Sequence, residues 1–129
     1  MPERLQLSRQ KGFRLPLNAK SVARPHRYGN PFEVWKNREW YADTWDDRWR
    51  SMGAAAKCAD NLTARKIATE AYRAALDAGW RGHDLPTKEQ IRAELTGLSL
   101  ACWCPLPEPG QTDWCHARVL LDICQEATQ

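Results

Sequence analysis

The sequence predicts an α/β fold, a small Rossmann-like sandwich in which a few-stranded sheet carries packed helices. Residues 98–104, LSLACWC, are almost wholly apolar, as a central strand buried on both faces is. Residues 63–78 place Ile67, Ala68, Ala71, Tyr72, Ala75 and Leu76 in one stripe at helical spacing. Short apolar–polar alternations near the N-terminus add further strands, so the order β-β-α-α-α-β-α mixes the two element types along one chain.

The elements follow in order. RLQLSR (4–9) alternates Leu5 and Leu7 with Arg4, Gln6 and Ser8, the period-two pattern of a half-buried strand. QKGFRLPLNA, with Gly12 and Pro16, is a loop, and KSVARP offers a second short strand. RPHRYGNPF (24–32) is too rich in turn formers for regular structure. Its Gly29-Asn30-Pro31 reads as a tight turn, because Gly and Asn accept positive φ and Pro31 keeps Asn30 out of the helical region. Tyr41, Trp45, Trp49, Met52 and Ala56 recur at helical spacing. They predict a helix whose Trp stripe packs on the domain, with a base-stacking platform as the sharper alternative. The helix over 63–78 is capped by Asn61 or Thr63 and ended by Gly79. A further helix over 88–96 has Thr87 and Gln90 as a capping box, Ile91 and Leu95 inward, and Gly97 at its end. After the strand and a proline-rich loop, WCHARVLLDICQEA forms the last helix. Thr112 or Asp113 is its N-cap, and Ala117, Leu120, Leu121 and Cys124 face inward.

A chain of 129 residues is expected to form a single domain over 1–129, large enough to bury a core without staples. The mean hydropathy of −0.69 and the absence of any long apolar run argue against a membrane-spanning chain. The N-terminus carries no apolar segment of the kind a signal peptide needs, so the expected location is the cytoplasm. In that reducing compartment five cysteines, an odd number, are expected as thiols, thiolates or ligands rather than a disulfide framework. The net charge of +3 is uneven: residues 1–30 carry seven basic residues against the single acid Glu3. A basic N-terminal third suits an anionic partner such as phosphate, nucleotide or nucleic acid, and equally a solubilising surface. Seven tryptophans is a high number for this length, and four fall within Trp35–Trp49.

The chemistry-bearing residues gather near the C-terminus. Cys102 and Cys104, two apart on a strand, share a face, and Cys104 sits at the strand's carboxyl end, where α/β folds place ligands. Cys115 and His116 fall in the first turn of the last helix, whose free N–H groups welcome an anion or a thiolate. Three readings compete. Cys102, Cys104, Cys115 and His116 have the ligand types of a Cys3His zinc site, although C-x-C-x10-C-H is an uncommon spacing and an adjacent Cys-His pair within a helix strains to reach one ion. Alternatively Cys115 is a catalytic thiolate with His116 as its base, Asp113 opposing the lowered pKa. In the third, the cysteines are small core residues and His116 a polar cap. Cys124, on the inner face of the helix, is best read as core.

SRQKGFRLPLNAKSVARPHRYGNPF, then TARKIATEAYRAAL, then IRAELTGLSLACWCPL and CHARVLL together resemble the DUF4326 family across nearly the whole chain. GNPF and the CWC…CH pair are the specific parts of the resemblance. It implies a small phage or bacterial mobile-element protein without an assigned activity, so it carries site positions but no reaction. Several positions depart from the family pattern. Tyr28 replaces the Trp before GNPF, and His26-Arg27 stand where Ser-x is usual. Arg118 replaces an Asp often found two residues after CH, which removes an acid that would orient His116. The Trp-rich segment 33–60, expected as a helical insertion, and the CWC–CH loop are both longer than usual. Over a short piece, the C-terminal unit also resembles the strand-loop-CHR ending of the DUF488 family, which favours a strand followed by an anion-binding helix start.

RPHRYGNPF and CWC…CH are the parts that core packing alone does not require, and the expectation is that they meet at the carboxyl end of the sheet. Arg9, Arg24 and Arg27 would supply charge and planar donors for phosphate. Tyr28 would stack on a ring. Gly29 and Asn30 would shape the loop, Asn30 reading a base or sugar edge or locking the turn. Cys104, Cys115 and His116 would hold the anionic or reacting group. This describes a pocket for a nucleotide- or nucleoside-like or other phosphorylated small molecule, either bound only or bound and processed there. The alternatives are a zinc-stabilised module for nucleic acid or a protein partner, and a phage-borne protein that sequesters a nucleotide signal of host defence without turning it over.

Overall fold

The computed structural model describes residues 2–24 and 27–126, so Pro25 and His26 of the RPHRYGNPF motif lie outside the described residues. The chain runs β1 (Arg4–Gln6), β2 (Ala19–Ser21), β3 (Val34–Asn37), β4 (Glu39–Ala42), β5 (Trp45–Asp46), β6 (Ser51–Met52) and β7 (Ala56–Cys58). It continues through α1 (Asn61–Ala78), a 3-10 turn at Gly82–Asp84, α2 (Lys88–Leu95), β8 (Ser99–Cys102) and α3 (His116–Glu126). Three small sheets with helices packed on them make the mixed α/β fold that the sequence predicts.

The last strand in sequence is the middle strand in space. β8 lies between β1 and β2, parallel to both, with Leu5 opposite Ala101 and Lys20 opposite Leu100. All four of its residues are buried, which explains why 98–104 carries no polar alternation. The strand stops at Cys102, so Cys104 lies in the loop beyond it and not at the strand end. α1 and α2 form largely as their sequences dictate. The stripe of α1 is buried from Ala64 to Leu76, and Gly79 closes the helix at φ 72 with its N–H on the carbonyls of Ala75 and Leu76. Its N-cap is Asp60 rather than Asn61 or Thr63: Asp60 Oδ1 accepts from the N–H of Thr63 at 2.8 Å. The Thr87–Gln90 capping box on α2 is complete in both directions.

Two expectations are corrected. The helix drawn from Tyr41 to Ala56 is absent. Segment 33–60 instead forms the antiparallel sheet β3-β4-β7 and the hairpin β5-β6. Arg38, at φ 66, turns the chain between β3 and β4, a conformation no helix interior allows. Across this sheet Lys36, Trp40 and Cys58 lie in one row, and Trp35, Tyr41 and Lys57 in the next, on the opposite face. Cys58 is buried and Trp40 packs against the core, so the first row faces α1; Trp35 stacks on Tyr41 on the outer face. The last helix begins only at His116, and Asp113 caps nothing: its carboxylate lies 3.2 Å from Arg4 Nε. Cys124 is a core thiol as read, its sulfur against the Ile91 carbonyl. Among the described residues, no helix is long and apolar enough to cross a membrane.

Candidate metal centre and ligand cleft

The carboxyl end of β8 delivers Cys102 to the start of α3. Cys115 precedes the first helical residue and His116 is that residue, so the backbone bends between them. This bend removes the obstacle expected of an adjacent Cys-His pair: both side chains reach the same point. The sulfur of Cys102 is 3.9 Å from His116 Nδ1, and that of Cys115 is 4.0 Å from it. Cys104 curls back until its sulfur is 3.9 Å from that of Cys102. The ligand atoms of Cys102, Cys115 and His116 all lie within 4.8 Å of one another and all three residues are buried, so the group could hold a metal ion. On its far side the imidazole is fixed. Nε2 donates to the Val22 carbonyl at 2.7 Å, which assigns the proton to Nε2 and turns the Nδ1 lone pair toward the sulfurs. The Tyr72 ring stands perpendicular to it at 5.7 Å between centroids, and the Tyr72 hydroxyl donates to the Tyr28 carbonyl.

The three thiols act on one another. Hydrogen bonds from Cys104 and then Cys115 hold Cys102 below the usual thiol value against the cost of burial. Bonding to Cys102 pushes Cys104 up. Cys115 is pushed up by Cys102, by Cys104 and by burial.

The loop carrying Cys104 is held by a residue the sequence reading placed on the solvent side of β1. Arg4 is 9% exposed and donates to the carbonyl oxygens of Leu5, Cys104 and Pro105, with the Cys104 bond at 2.6 Å. It also faces Asp113. Their 3.2 Å approach lacks hydrogen-bond alignment, so the attraction is coulombic. Burial raises the Asp113 carboxyl above its ordinary value, while Arg4, Arg118 and Arg65 pull it back.

This Cys/His group forms one wall of a cleft of about 390 Å³, and Arg24, Asn30 and Phe32 of the GNPF loop line the same cleft. The two distant motifs thus share one cavity. Arg24 and Asn30, however, hold the loop together. Arg24 donates to the carbonyls of Asn30 (2.6 Å) and Phe32 (3.2 Å) and to Glu33 (3.1 Å). The Asn30 amide donates to the Ala68 carbonyl on α1, and its oxygen accepts from the N–H of Phe32. Of the two roles considered for Asn30, this is the locked turn.

The remaining residues singled out from the sequence lie around the cleft or away from it. Arg9 is exposed, its guanidinium 5.1 Å from the ring of Trp103, which lines the cleft. Arg27 pairs with Glu94 at 3.6 Å and lies over the ring of Tyr28. Tyr28 itself is 2% exposed and offers no free face for stacking, and Gly29 is half-buried in the same loop. The sequence reading missed Arg65, Trp40 and Trp114 in the cleft wall, and Arg4 behind it. The abundance of tryptophan pointed toward Trp40 and Trp114, and nothing in the sequence marked Arg65 or Arg4.

The profile of the domain of unknown function DUF4326 matches residues 5–126. The chain belongs to the DUF4326 family. No protein of curated function and no solved structure matches it. In this DUF4326 protein the match spans both the GNPF loop and the Cys/His group, the two parts that meet in the cleft.

Proposed function

We propose that the protein is a zinc-held binding module whose cleft takes a nucleotide- or nucleoside-like anionic ligand. The observation that carries the metal half is spacing. A tetrahedral zinc ion with sulfur ligands at about 2.3 Å and nitrogen at about 2.0 Å requires sulfur–sulfur edges of about 3.8 Å and sulfur–nitrogen edges of about 3.6 Å. Three distances, 3.9 Å from Cys102 to Cys104, 3.9 Å from Cys102 to His116 and 4.0 Å from Cys115 to His116, lie close to those edges, and the ligand atoms of Cys102, Cys115 and His116 all fall within 4.8 Å of one another. The Nε2 bond to Val22 supplies the outer partner that metal-bound histidines take. With Cys104 drawn in as the fourth ligand, the coordination sphere would be closed, which favours a structural ion and a binding role over a zinc-activated reaction. The ion would join the end of β8 to the start of α3 and set the wall against which the ligand rests.

The ligand half is supported by the cleft's chemistry: indoles of Trp40, Trp103 and Trp114 for a planar ring, and guanidinium groups for an anion. A second reading keeps three ligands, Cys102, Cys115 and His116, and an open fourth position. It is favoured by the half-buried Cys104, which stands outside the tightest group. In that case Cys104→Ser retains zinc, whereas the closed site loses affinity.

The test is direct. Protein purified without chelator is expected to contain about one zinc per chain, and Cys115→Ser and His116→Ala to lose it. Metal-free protein that keeps its full melting temperature overturns the zinc reading. A thermal-shift screen of nucleosides and nucleotides checks the cleft: ligand at a hundred times its Kd stabilises by about 2.7 kcal/mol. Oligonucleotide binding with steep salt dependence would instead make the anion a polymer.

A further inference from the structure

The cleft contains two guanidinium groups in different states. Arg24 has spent its donors on its own loop and on Glu33. Arg65, on the second turn of α1, has not. Its Nε is buried without a hydrogen-bond partner, and among the described residues no carboxylate pairs with it. Asp113, which Arg65 acts on coulombically, is engaged by Arg4. A buried donor on a charged group is costly to leave unpaired, and native structures keep few of them without a reason.

Its position supplies the reason. Arg65 and Trp114 line both the main cleft and a second cavity of about 230 Å³ under the proline-rich loop. The guanidinium therefore stands where the two compartments adjoin. The larger compartment offers aromatic faces, among them Trp40 and Trp103. The smaller is walled mainly by Leu62, Leu106 and the loop prolines, with Gln111, Thr112 and the acid Glu108 as its polar members beside Arg65.

We propose that Arg65 is the receptor for the ligand's anionic group and that the ligand is a nucleoside monophosphate. This rests on the nucleotide-like reading of the cleft and narrows it. One planar, uncompensated guanidinium matches one phosphate bidentately. Of the two guanidinium groups among the residues that line the cleft, only Arg65 is free of bonds, so a triphosphate would bring more negative charge than this lining neutralises, and Glu108 would face the excess. A neutral nucleoside would leave Arg65 unpaired.

Titration calorimetry on the zinc-loaded protein tests this with AMP, GMP, CMP, UMP and dTMP against their nucleosides and triphosphates. At least one monophosphate is expected to bind roughly ten- to hundredfold tighter than its nucleoside, the worth of hydrogen bonds to a charged group. The triphosphate should gain nothing further. Arg65→Gln should collapse the monophosphate-to-nucleoside ratio toward one while zinc content and melting temperature show the fold intact, and Arg65→Lys should recover part of the ratio. Nucleosides binding as tightly as monophosphates, or a ratio unchanged in Arg65→Gln, would overturn the assignment of Arg65 and leave the cleft reading standing. No binding by any of these compounds would overturn both.

Discussion

Arg4 shows how a residue can be conspicuous in space and invisible in sequence. Opposite Leu5 and Leu7 it reads as the wet side of an alternating strand. Its side chain instead runs beneath the CWC loop and holds the Cys104 carbonyl, with Asp113 as its counter-charge. Nothing in RLQLSR encodes this, because the partners come from about a hundred residues away. Cys102, Cys115 and His116 were legible by type alone, since thiols and an imidazole beside a helix start have few bland uses. The same holds for the GNPF turn, but Arg24 and Asn30 carry loop-locking bonds that residue type does not separate from ligand contacts. Arg4→Met is expected to lower the unfolding free energy by up to about 3–5 kcal/mol, since it removes the bonds to the Cys104 loop and the close partner of Asp113, leaving only the pull of Arg118 and Arg65. Asp113→Asn added to it should return part of that loss. The pH dependence has a definite sign. Asp113 already has a folded pKa above its ordinary 3.8, and without Arg4 it rises further. Such a group favours the folded state at low pH and loses that advantage as pH climbs through the folded value. Urea unfolding should therefore find the Arg4→Met penalty larger at pH 7 than at pH 4, and a pH-independent penalty would show that the ion pair is not its source.

Among the elements, those with long, self-consistent signals are the ones the sequence specifies. α1 has its alanine-rich stripe and C-terminal glycine, α2 its capping box, and β8 its unbroken apolar run. The Trp-rich segment misleads for a physical reason. A spacing of four, as in Tyr41, Trp45 and Trp49, keeps residues on one face of a helix and, being even, on one face of a strand as well. The deciding signals are weaker: the β-preference of Trp and Tyr, and Arg38 at positive φ in the turn. Caps are similarly a matter of one residue. Asp60, one place before the expected caps, takes the Thr63 N–H, and that hydrogen bond holds its carboxyl below the ordinary 3.8. A lowered folded pKa gives stabilisation that is full above the ordinary value and fades as pH falls through the folded one. Asp60→Asn keeps a capping oxygen without a titrating charge. Its melting temperature should stay near that of the parent at pH 7 and fall less steeply on acidification to about pH 3. Asp60→Ala should melt lower at both. Circular dichroism melts across that range decide the point, and parallel acid limbs for parent and Asp60→Asn would assign the acid sensitivity to other carboxylates.

Across the whole molecule, the Cys/His group ties together the parts that the parallel sheet leaves to short strands. β1, β2 and β8 contribute only three, three and four residues, too few to fix their ends by backbone pairing alone. Cys102 ends β8, Cys115 and His116 begin α3, and the His116 bond to Val22 reaches the residue after β2, whose N–H is on the Ala101 carbonyl. A metal ion bound there would act as a cross-link between three elements. The antiparallel sheet β3-β4-β7 is held by its own ladders and by packing on α1, with no ligand of the group on it. Metal removal is therefore expected to act unevenly. At neutral pH, chelation should lower the melting temperature, since an ion that binds only the folded chain stabilises it by mass action. Hydrogen exchange should speed up most at Val22, at residues 99–104 and in the first turn of α3, while the β3-β4 ladder keeps most of its protection. Uniform loss of protection would mean that the two sheets unfold as one unit and that the metal contributes only to global stability. Retained protection at residues 99–104 would mean that core packing around Leu100 and Leu120 already fixes this end of the sheet, so that the thiols hold no structural ion.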